Sequence, residues 1–241
     1  MKAWFMDGTA IAAIPADDRA VQYGDGLFET IAIRDCKPRL WTYHVERLQL
    51  GCERLGIAMP AASQLRSDLE NAIAAANLDS HYATAKLVVT TGAGRRGYKR
   101  PATEPVLRVG LDTAEPRPVE MYQQGIRVRL CNTRLAIQPQ LAGIKTLNRL
   151  EQVLARAEWD DPDVAEGLTL DTDGRLICGT MSNVFARIDN QLVTPALTRC
   201  GVAGVMRRHV LTELEQQGTA VEVRDILHGE LADIDEMFLS N

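Results

Sequence analysis

The sequence predicts a mixed α and β protein of the α+β class, built in two parts, and three observations carry that reading. Apolar and polar residues alternate over short runs, as at Ile126, Val128 and Leu130 against Arg127, Arg129 and Cys131, which is the period of a half-buried strand. Elsewhere apolar residues recur at helical spacing, as at Trp41, Val45, Leu48, Cys52 and Leu55. Between the halves, residues 113–120 carry Pro116 and Pro118 and read as an interdomain linker. The expected division is a small N-terminal α/β domain over 1–112 and a larger C-terminal domain over 121–241.

The elements follow in chain order. Residues 1–20 read as a short strand, a turn at Asp7-Gly8 and a second strand ending at Asp17-Asp18-Arg19. In YGDGLFETI (23–31) the two glycines permit close backbone approach, and Phe28, Thr30 and Ile31 favour a following strand. The stripe from Trp41 to Leu55 is a helix, with Arg47 at its border and so half-buried. A second helix runs over 63–77 with Leu65, Leu69 and Ile73 inside. Residues 85–91 and 106–111 read as paired strands. The connection from Gly92 to Pro101 is too long and too basic to be a plain turn.

The second half turns on LAGIKTLNRL (141–150), read as a lysine placed just before a helix. Leu147, Leu150, Val153, Leu154 and Ala157 form its apolar face, and Asn148 with Glu151 makes a capping box. Leu141, Ala142 and Ile144 would partly desolvate the Lys145 ammonium. Desolvation disfavours the charged form and makes an amine nucleophilic near neutral pH, the property of an amine that forms Schiff bases. An ordinary surface lysine is the plain alternative when Lys145 is taken singly. Beyond it come a strand over 167–171, a hairpin turn at Asp173-Gly174 and an apolar run over 176–188. A turn at Asp189-Asn190 and a strand over 191–195 follow, then a helix led by Gly201-Val202-Ala203-Gly204-Val205-Met206-Arg207 and reaching about Gln217. The chain closes with a strand over 221–226, a helical turn over 229–232 and a strand over 236–239.

Composition excludes several classes of function. The 241 residues are 46% hydrophobic and 24% charged, normal for a packed domain pair. A formal net charge of -5 disfavours nucleic acid and anionic membrane as partners, and an anionic small molecule would need a local basic site. The five cysteines (36, 52, 131, 178 and 200) are scattered without metal-ligand spacing, so neither a zinc site nor a disulfide framework is expected, and a reducing cytoplasm fits. No signal peptide, transmembrane run, internal repeat or low-complexity segment is read.

Taken together, YGDGLFETI (23–31), HVERL (44–48), GAGRRGY (92–98), AGIKTLNRLEQVLAR (142–156), GTMSNVF (179–185) and GVAGVMR (201–207) resemble the fold type IV pyridoxal phosphate enzymes. That group holds the branched-chain and D-amino acid aminotransferases and aminodeoxychorismate lyase, and the lyase pattern is the most similar. The resemblance covers essentially the whole chain. It implies pyridoxal 5'-phosphate as cofactor, with Lys145 as the catalytic Schiff-base lysine. It implies that Arg47 binds the cofactor phosphate, together with the turn at Gly204, Val205 and Met206. A guanidinium suits phosphate geometry, and a helix N-terminus offers free N–H groups and a positive dipole end.

Arg95, Arg96, Tyr98 and Asn148 are the implied substrate contacts, for a dicarboxylate collected by a cationic loop that also holds Lys99 and Arg100. A flexible solvated loop is the alternative for the arginines, and helix capping explains Asn148 equally well. His44 reads as structural, since no carboxylate or cysteine sits beside it at useful spacing. The resemblance further implies a cytoplasmic homodimer that makes 4-aminobenzoate and pyruvate from 4-amino-4-deoxychorismate, toward folate. An aminotransferase and a degenerate, non-catalytic binding protein are the rival readings.

Two departures stand out. Where the family has a glutamate paired with the pyridine nitrogen, this chain has Cys178, and a neutral thiol cannot keep that nitrogen protonated to the same degree. Family members also continue past the segment matching Phe238-Leu239-Ser240-Asn241, with a small or hydroxyl residue that helps hold the phosphate.

Overall fold

The computed structural model describes residues 1–76, 82–100 and 104–241. Asn77, the expected end of the second helix, and Pro101, the expected end of the basic connection, lie outside them. The chain forms two compact units: Met1–Arg117 with Lys145–Asn148, and Pro118–Ile144 with Arg149–Asn241. The first unit's long segment ends at Arg117 and the second begins at Pro118. Lys145, placed by sequence in the C-terminal domain, is grouped with the first unit because its segment pairs with a strand there.

Unit 1 contains β1 (Ala3–Met6), β2 (Thr9–Ala10), α1 (Arg19–Tyr23), β3 (Gly26–Arg34), β4 (Lys37–Pro38), α2 (Trp41–Leu55), α3 (Ala62–Ala76), β5 (Tyr82–Thr90) and β6 (Val106–Thr113). Its six strands form one antiparallel sheet in the order β2-β1-β6-β5-β3-β4. Alternation sends Leu27, Glu29, Ile31 and Ile33 of β3 to one face and Phe28 and Thr30 to the other. The first face is buried. There α2 packs on β3 and α3 on β6, with Leu48, Cys52, Leu65, Leu69 and Ala72 buried. The short α1 has no apolar stripe and escapes a periodicity reading. It forms because the Asp18 carboxylate accepts from Ala20 N–H at its start and Gly24 adopts left-handed geometry (φ 63°) at its end.

Unit 2 contains α4 (Glu120–Gln123), β7 (Arg127–Leu135), α5 (Leu150–Arg156), β8 (Val164–Asp171), β9 (Leu176–Gly179), β10 (Asn183–Ile188), β11 (Gln191–Pro195), α6 (Val205–Gln216), β12 (Val221–Arg224), a 3-10 turn (His228–Asp233) and β13 (Ile234–Ser240). Two sheets result, β7-β8-β9 and β12-β11-β10-β13. Leu168, Leu170 and Leu176 from the first and Val184, Ile188 and Val193 from the second belong to one buried cluster. Asp189 and Asn190, at φ 50° and 62°, make the tight turn that joins β10 to β11.

The helix after Lys145 differs from expectation. It starts at Leu150, no side chain caps it, and Glu151 instead accepts a hydrogen bond from Ala136 N–H at 2.7 Å. Its apolar stripe faces outward: Leu150, Val153 and Leu154 are 70%, 60% and 55% exposed, while Ala155 is buried. Among the described residues, no helix is long and apolar enough to cross a membrane.

Candidate active site

Lys145 lies in an extended segment, five residues before α5. Phe28 N–H donates to Lys145 C=O and Leu147 N–H to Gly26 C=O, each at 3.0 Å, and Thr146 forms an antiparallel bridge with Leu27. The segment is therefore a short rung on the edge of β3, and its backbone is fixed by that ladder rather than by a helix. The Lys145 side chain extends over the outward face of β3, with Nζ 4.5 Å from the centroid of the Phe28 ring. An aromatic face attracts a cation but offers it no hydrogen bond, so the amine is held without a strong acceptor from that ring.

Arg47 projects from α2 onto the buried face of the same strand. Its Nε donates to Glu29 Oε1 at 2.8 Å and its Nη2 to Glu29 Oε2 at 2.5 Å, while His44 Nδ1 lies 2.6 Å from Oε2. His44 thus has a carboxylate partner, contrary to its reading as a histidine without one. The partner is fifteen residues away in sequence and one strand away in space. Burial pushes the Glu29 carboxyl up, but hydrogen bonds and charge from Arg47 and His44 outweigh it and hold the group below its ordinary value. Glu29 fixes the Arg47 guanidinium in one orientation through a two-pronged pair.

The basic connection is pinned by residues that sequence reasoning passed over. Arg19, buried in α1, donates from Nη1 to Gly97 C=O and from Nη2 to Tyr98 C=O, each at 3.0 Å, and from Nε to Asp25 at 2.8 Å. Arg100 binds the same Asp25 carboxylate through Nε and Nη2, and donates from Nη1 to Leu55 C=O. Burial raises the Asp25 carboxyl, yet Arg100 and Arg19 together bring it below the ordinary range. Arg100 is consumed in holding the loop. Arg95, Arg96 and Lys99 are exposed and make no ion pair among the described residues. The exposed Tyr98 ring sits edge-on to Tyr23, with centroids 5.5 Å apart. Asn148 does not cap α5: its Nδ2 donates to Gly24 C=O at 3.0 Å, next to the Asp25 anchor.

The remaining candidates belong to unit 2. Cys178 is buried on β9, with Sγ 3.6 Å from Thr169 Oγ1. Burial pushes its thiol up to about 11, so it is uncharged at neutral pH. A carboxylate does lie in that neighbourhood. Glu166 of β8 accepts from the N–H groups of Thr180 (3.0 Å) and Met181 (3.2 Å), from Thr180 Oγ1 and from Ser182 Oγ (2.9 Å), and so fixes the turn that follows Cys178.

Gly204 is the N-cap of α6, in extended geometry and without a side-chain cap, which leaves the first N–H groups of the helix to an external acceptor. A Cβ at Gly204 would collide with Oδ1 of Asn183, whose Nδ2 holds Val202 C=O at 2.9 Å. The turn is set in place by Gly143, which bridges Val202 in parallel register. Arg207, one residue past the turn, escaped the sequence reading. It donates to Thr194 Oγ1 and Pro195 C=O, has no carboxylate partner among the described residues, and burial lowers its guanidinium.

Comparisons with known proteins identify the family. The model of the family described as amino-transferase class IV matches residues 26–241. An aminodeoxychorismate lyase from Vibrio harveyi is 37% identical over 239 residues, covering 99% of this chain and 87% of the relative. The crystal structure of 4-amino-4-deoxychorismate lyase from Pseudomonas aeruginosa superposes with a TM-score of 0.92 at 46% identity, over 99% of this chain and 87% of that one. A fold IV-transaminase from Curtobacterium pusillum gives a TM-score of 0.79 at 25% identity, over 98% and 83%. The chain belongs to the class IV amino-transferase family.

Proposed function

We propose that the chain is a pyridoxal phosphate-dependent 4-amino-4-deoxychorismate lyase, releasing pyruvate to give 4-aminobenzoate, a precursor of folate. The observation that carries the reading is the pairing of a lysine amine over the Phe28 ring with a loop pinned so that Arg95, Arg96 and Lys99 remain unneutralised. A protein of net charge -5 needs such a local cationic surface to draw in a dicarboxylate. The lyase relatives at 37% and 46% identity support the same substrate.

Taken unit by unit, the residues suit the cofactor. In unit 1, Lys145 presents an amine and Arg47 a fixed guanidinium. In unit 2, the uncapped start of α6 and the half-buried, carboxylate-free Arg207 suit a phosphate. In this reading Lys145 carries the cofactor, and Arg47, Gly204, Val205 and Met206 hold its phosphate. Cys178 would serve the cofactor's pyridine nitrogen, and Arg95, Arg96, Tyr98 and Asn148 the substrate. When bound, pyridoxal phosphate supplies an electron sink conjugated to the substrate amine. The Lys145 amine would serve as general base toward the proton on the amine-bearing carbon and return a proton, as general acid, to the departing enolpyruvyl group. Cys178 brings no charge of its own, which suits a reaction whose electrons leave with a departing group better than one that must store them in the cofactor.

The protein is further proposed to work as a homodimer in the cytoplasm. The outward stripe of Leu150, Val153 and Leu154 is an apolar surface of the kind that pairs, and all five cysteines are free thiols. The test is direct. Purified protein with added pyridoxal phosphate should show a visible absorption band, become borohydride-trapped at Lys145, and release 4-aminobenzoate and pyruvate in equal amounts from aminodeoxychorismate. A trapped adduct with amino-group transfer and no pyruvate release would favour an aminotransferase. Absence of any adduct would leave a binding protein.

A further inference from the structure

The cations of unit 1 divide into those already neutralised and those that are not. Arg19 and Arg100 share Asp25, Arg47 pairs with Glu29, and Arg108 pairs with Asp18 at 2.5 Å. Lys86 is different. It stands on β5 directly across from Thr30 of β3, on the outward face of the sheet. Its Nζ lies 4.7 Å from the centroid of the Phe28 ring, the same ring that lies 4.5 Å from Lys145 Nζ. No carboxylate pairs with Lys86 among the described residues. Glu29, next to Phe28 in β3, points to the opposite, buried face, where His44 and Arg47 occupy it. On the β6 side Lys86 faces Gly110, which has no side chain. Asp112, farther along β6, is taken by the N-terminal amine at 3.1 Å.

A half-buried ammonium without a counter-ion is a site that favours an anion, and one beside the proposed reactive lysine favours an anionic group of the molecule reacting there. The two ammonium nitrogens share one ring, so they stand no farther apart than its two contact distances combined. That upper limit admits no more than a single ring compound between them. We propose that Lys86 takes a carboxylate of the substrate and so fixes which ring compounds present their amine to Lys145. The proposal rests on the lyase reading. In aminodeoxychorismate the amine and the ring carboxylate stand at opposite ends of a six-membered ring, so a cation serving the carboxylate must be near, but not at, the reacting amine. Lys86 meets that condition, and Arg95 and Arg96 on the exposed loop remain the collecting cations. A phosphate is the other anion a lysine could hold here, and the cofactor brings one.

Lys86→Met keeps the length and the apolar stem while removing the charge, and Lys86→Arg restores a cation. In holoenzyme, Lys86→Met should raise KM for aminodeoxychorismate and the Kd for 4-aminobenzoate by about tenfold to a hundredfold, the loss of one charge-assisted contact. It should raise KM more than it lowers kcat and leave pyridoxal phosphate affinity in place, and Lys86→Arg should recover most of the product affinity. Unchanged KM and unchanged 4-aminobenzoate affinity in Lys86→Met overturn the proposal. So does a selective loss of pyridoxal phosphate affinity, which would give Lys86 to the cofactor phosphate. Wild-type holoenzyme that releases no 4-aminobenzoate overturns the lyase reading itself, a result visible before any variant is made.

Discussion

Arg47→Ala is the perturbation whose consequences the structure changes most. From sequence, the expected loss is one phosphate contact, about 1.5–3 kcal/mol or a tenfold to hundredfold weaker cofactor affinity. The structure adds a second cost. Arg47 donates two hydrogen bonds to the buried Glu29 carboxylate, and His44 lies within hydrogen-bond distance of it. Removing one partner of a buried pair leaves an uncompensated charge and costs about 3–5 kcal/mol. In a chain of this size that is a fall in melting temperature of about 6–20 °C for the transition of unit 1, measured on protein free of cofactor.

The pH dependence has a definite sign. Glu29 has a lowered pKa in the folded protein, so its pairing contributes stability above the unfolded value of about 4.3 and loses it as pH falls through the lower folded value. The gap in melting temperature between wild type and Arg47→Ala should therefore be widest near neutrality and shrink as pH falls below about 4.3 through the lower folded value. The double variant Arg47→Met with Glu29→Gln removes both charges. It should regain much of the stability and still bind pyridoxal phosphate weakly, which separates the two costs. If Arg47→Ala melts within about 2 °C of wild type at neutral pH, Glu29 does not depend on Arg47 and the reasoning fails.

Three further outcomes are expected. Lys145→Ala should lose the visible cofactor band and 4-aminobenzoate production while melting like wild type, and near-normal turnover would remove Lys145 from its role. Cys178 is uncharged at neutral pH, so the unmodified protein should show very slow conversion of bound cofactor to its amine form with D- or L-alanine. Cys178→Glu should speed that half-reaction more than it speeds release of 4-aminobenzoate in single turnover, and alanine transfer as fast as pyruvate release in the unmodified protein would sink the electron-sink argument. Asp25→Asn should loosen the loop that Arg19 and Arg100 pin, seen as faster tryptic cleavage after Arg95, Arg96 or Lys99. Cleavage at the wild-type rate would show that the loop is held by other means.

The long helices of unit 1 were legible because burial on one face leaves a period in the sequence, and α2 and α3 each show theirs. The reading went astray around α5 for a related reason. A stripe such as Leu150, Val153 and Leu154 shows that a face is apolar, but not that its cover lies in the same chain, and here the face is exposed. It also drew the helix start toward Lys145, whereas the ladder to Gly26 and Phe28 holds the lysine in extended backbone. Local spacing has no means of reporting a rung that joins residues more than a hundred positions apart. The capping box failed likewise, since Asn148 found the Gly24 carbonyl and Glu151 the Ala136 amide.

The candidate site was legible as motifs and illegible as pairings, and the pairings decide which cations are available. Glu29, Asp25 and Glu166 are each spent on holding a functional stretch: the Arg47 guanidinium, the 94–99 loop and the turn after Cys178. Of the loop's basic residues, Arg100 is anchored and cannot also meet a substrate. Those left unneutralised fall into two physical classes. Arg95, Arg96 and Lys99 are exposed, so salt screens them over a Debye length of about 8 Å and they act mainly on the rate of encounter. Lys86 is half-buried against Phe28, where screening is weaker, so its charge acts on affinity and on which anion stays. An acidic protein can therefore gather a dicarboxylate with one set of cations and read it with another, a division that follows from which carboxylates the fold has already used.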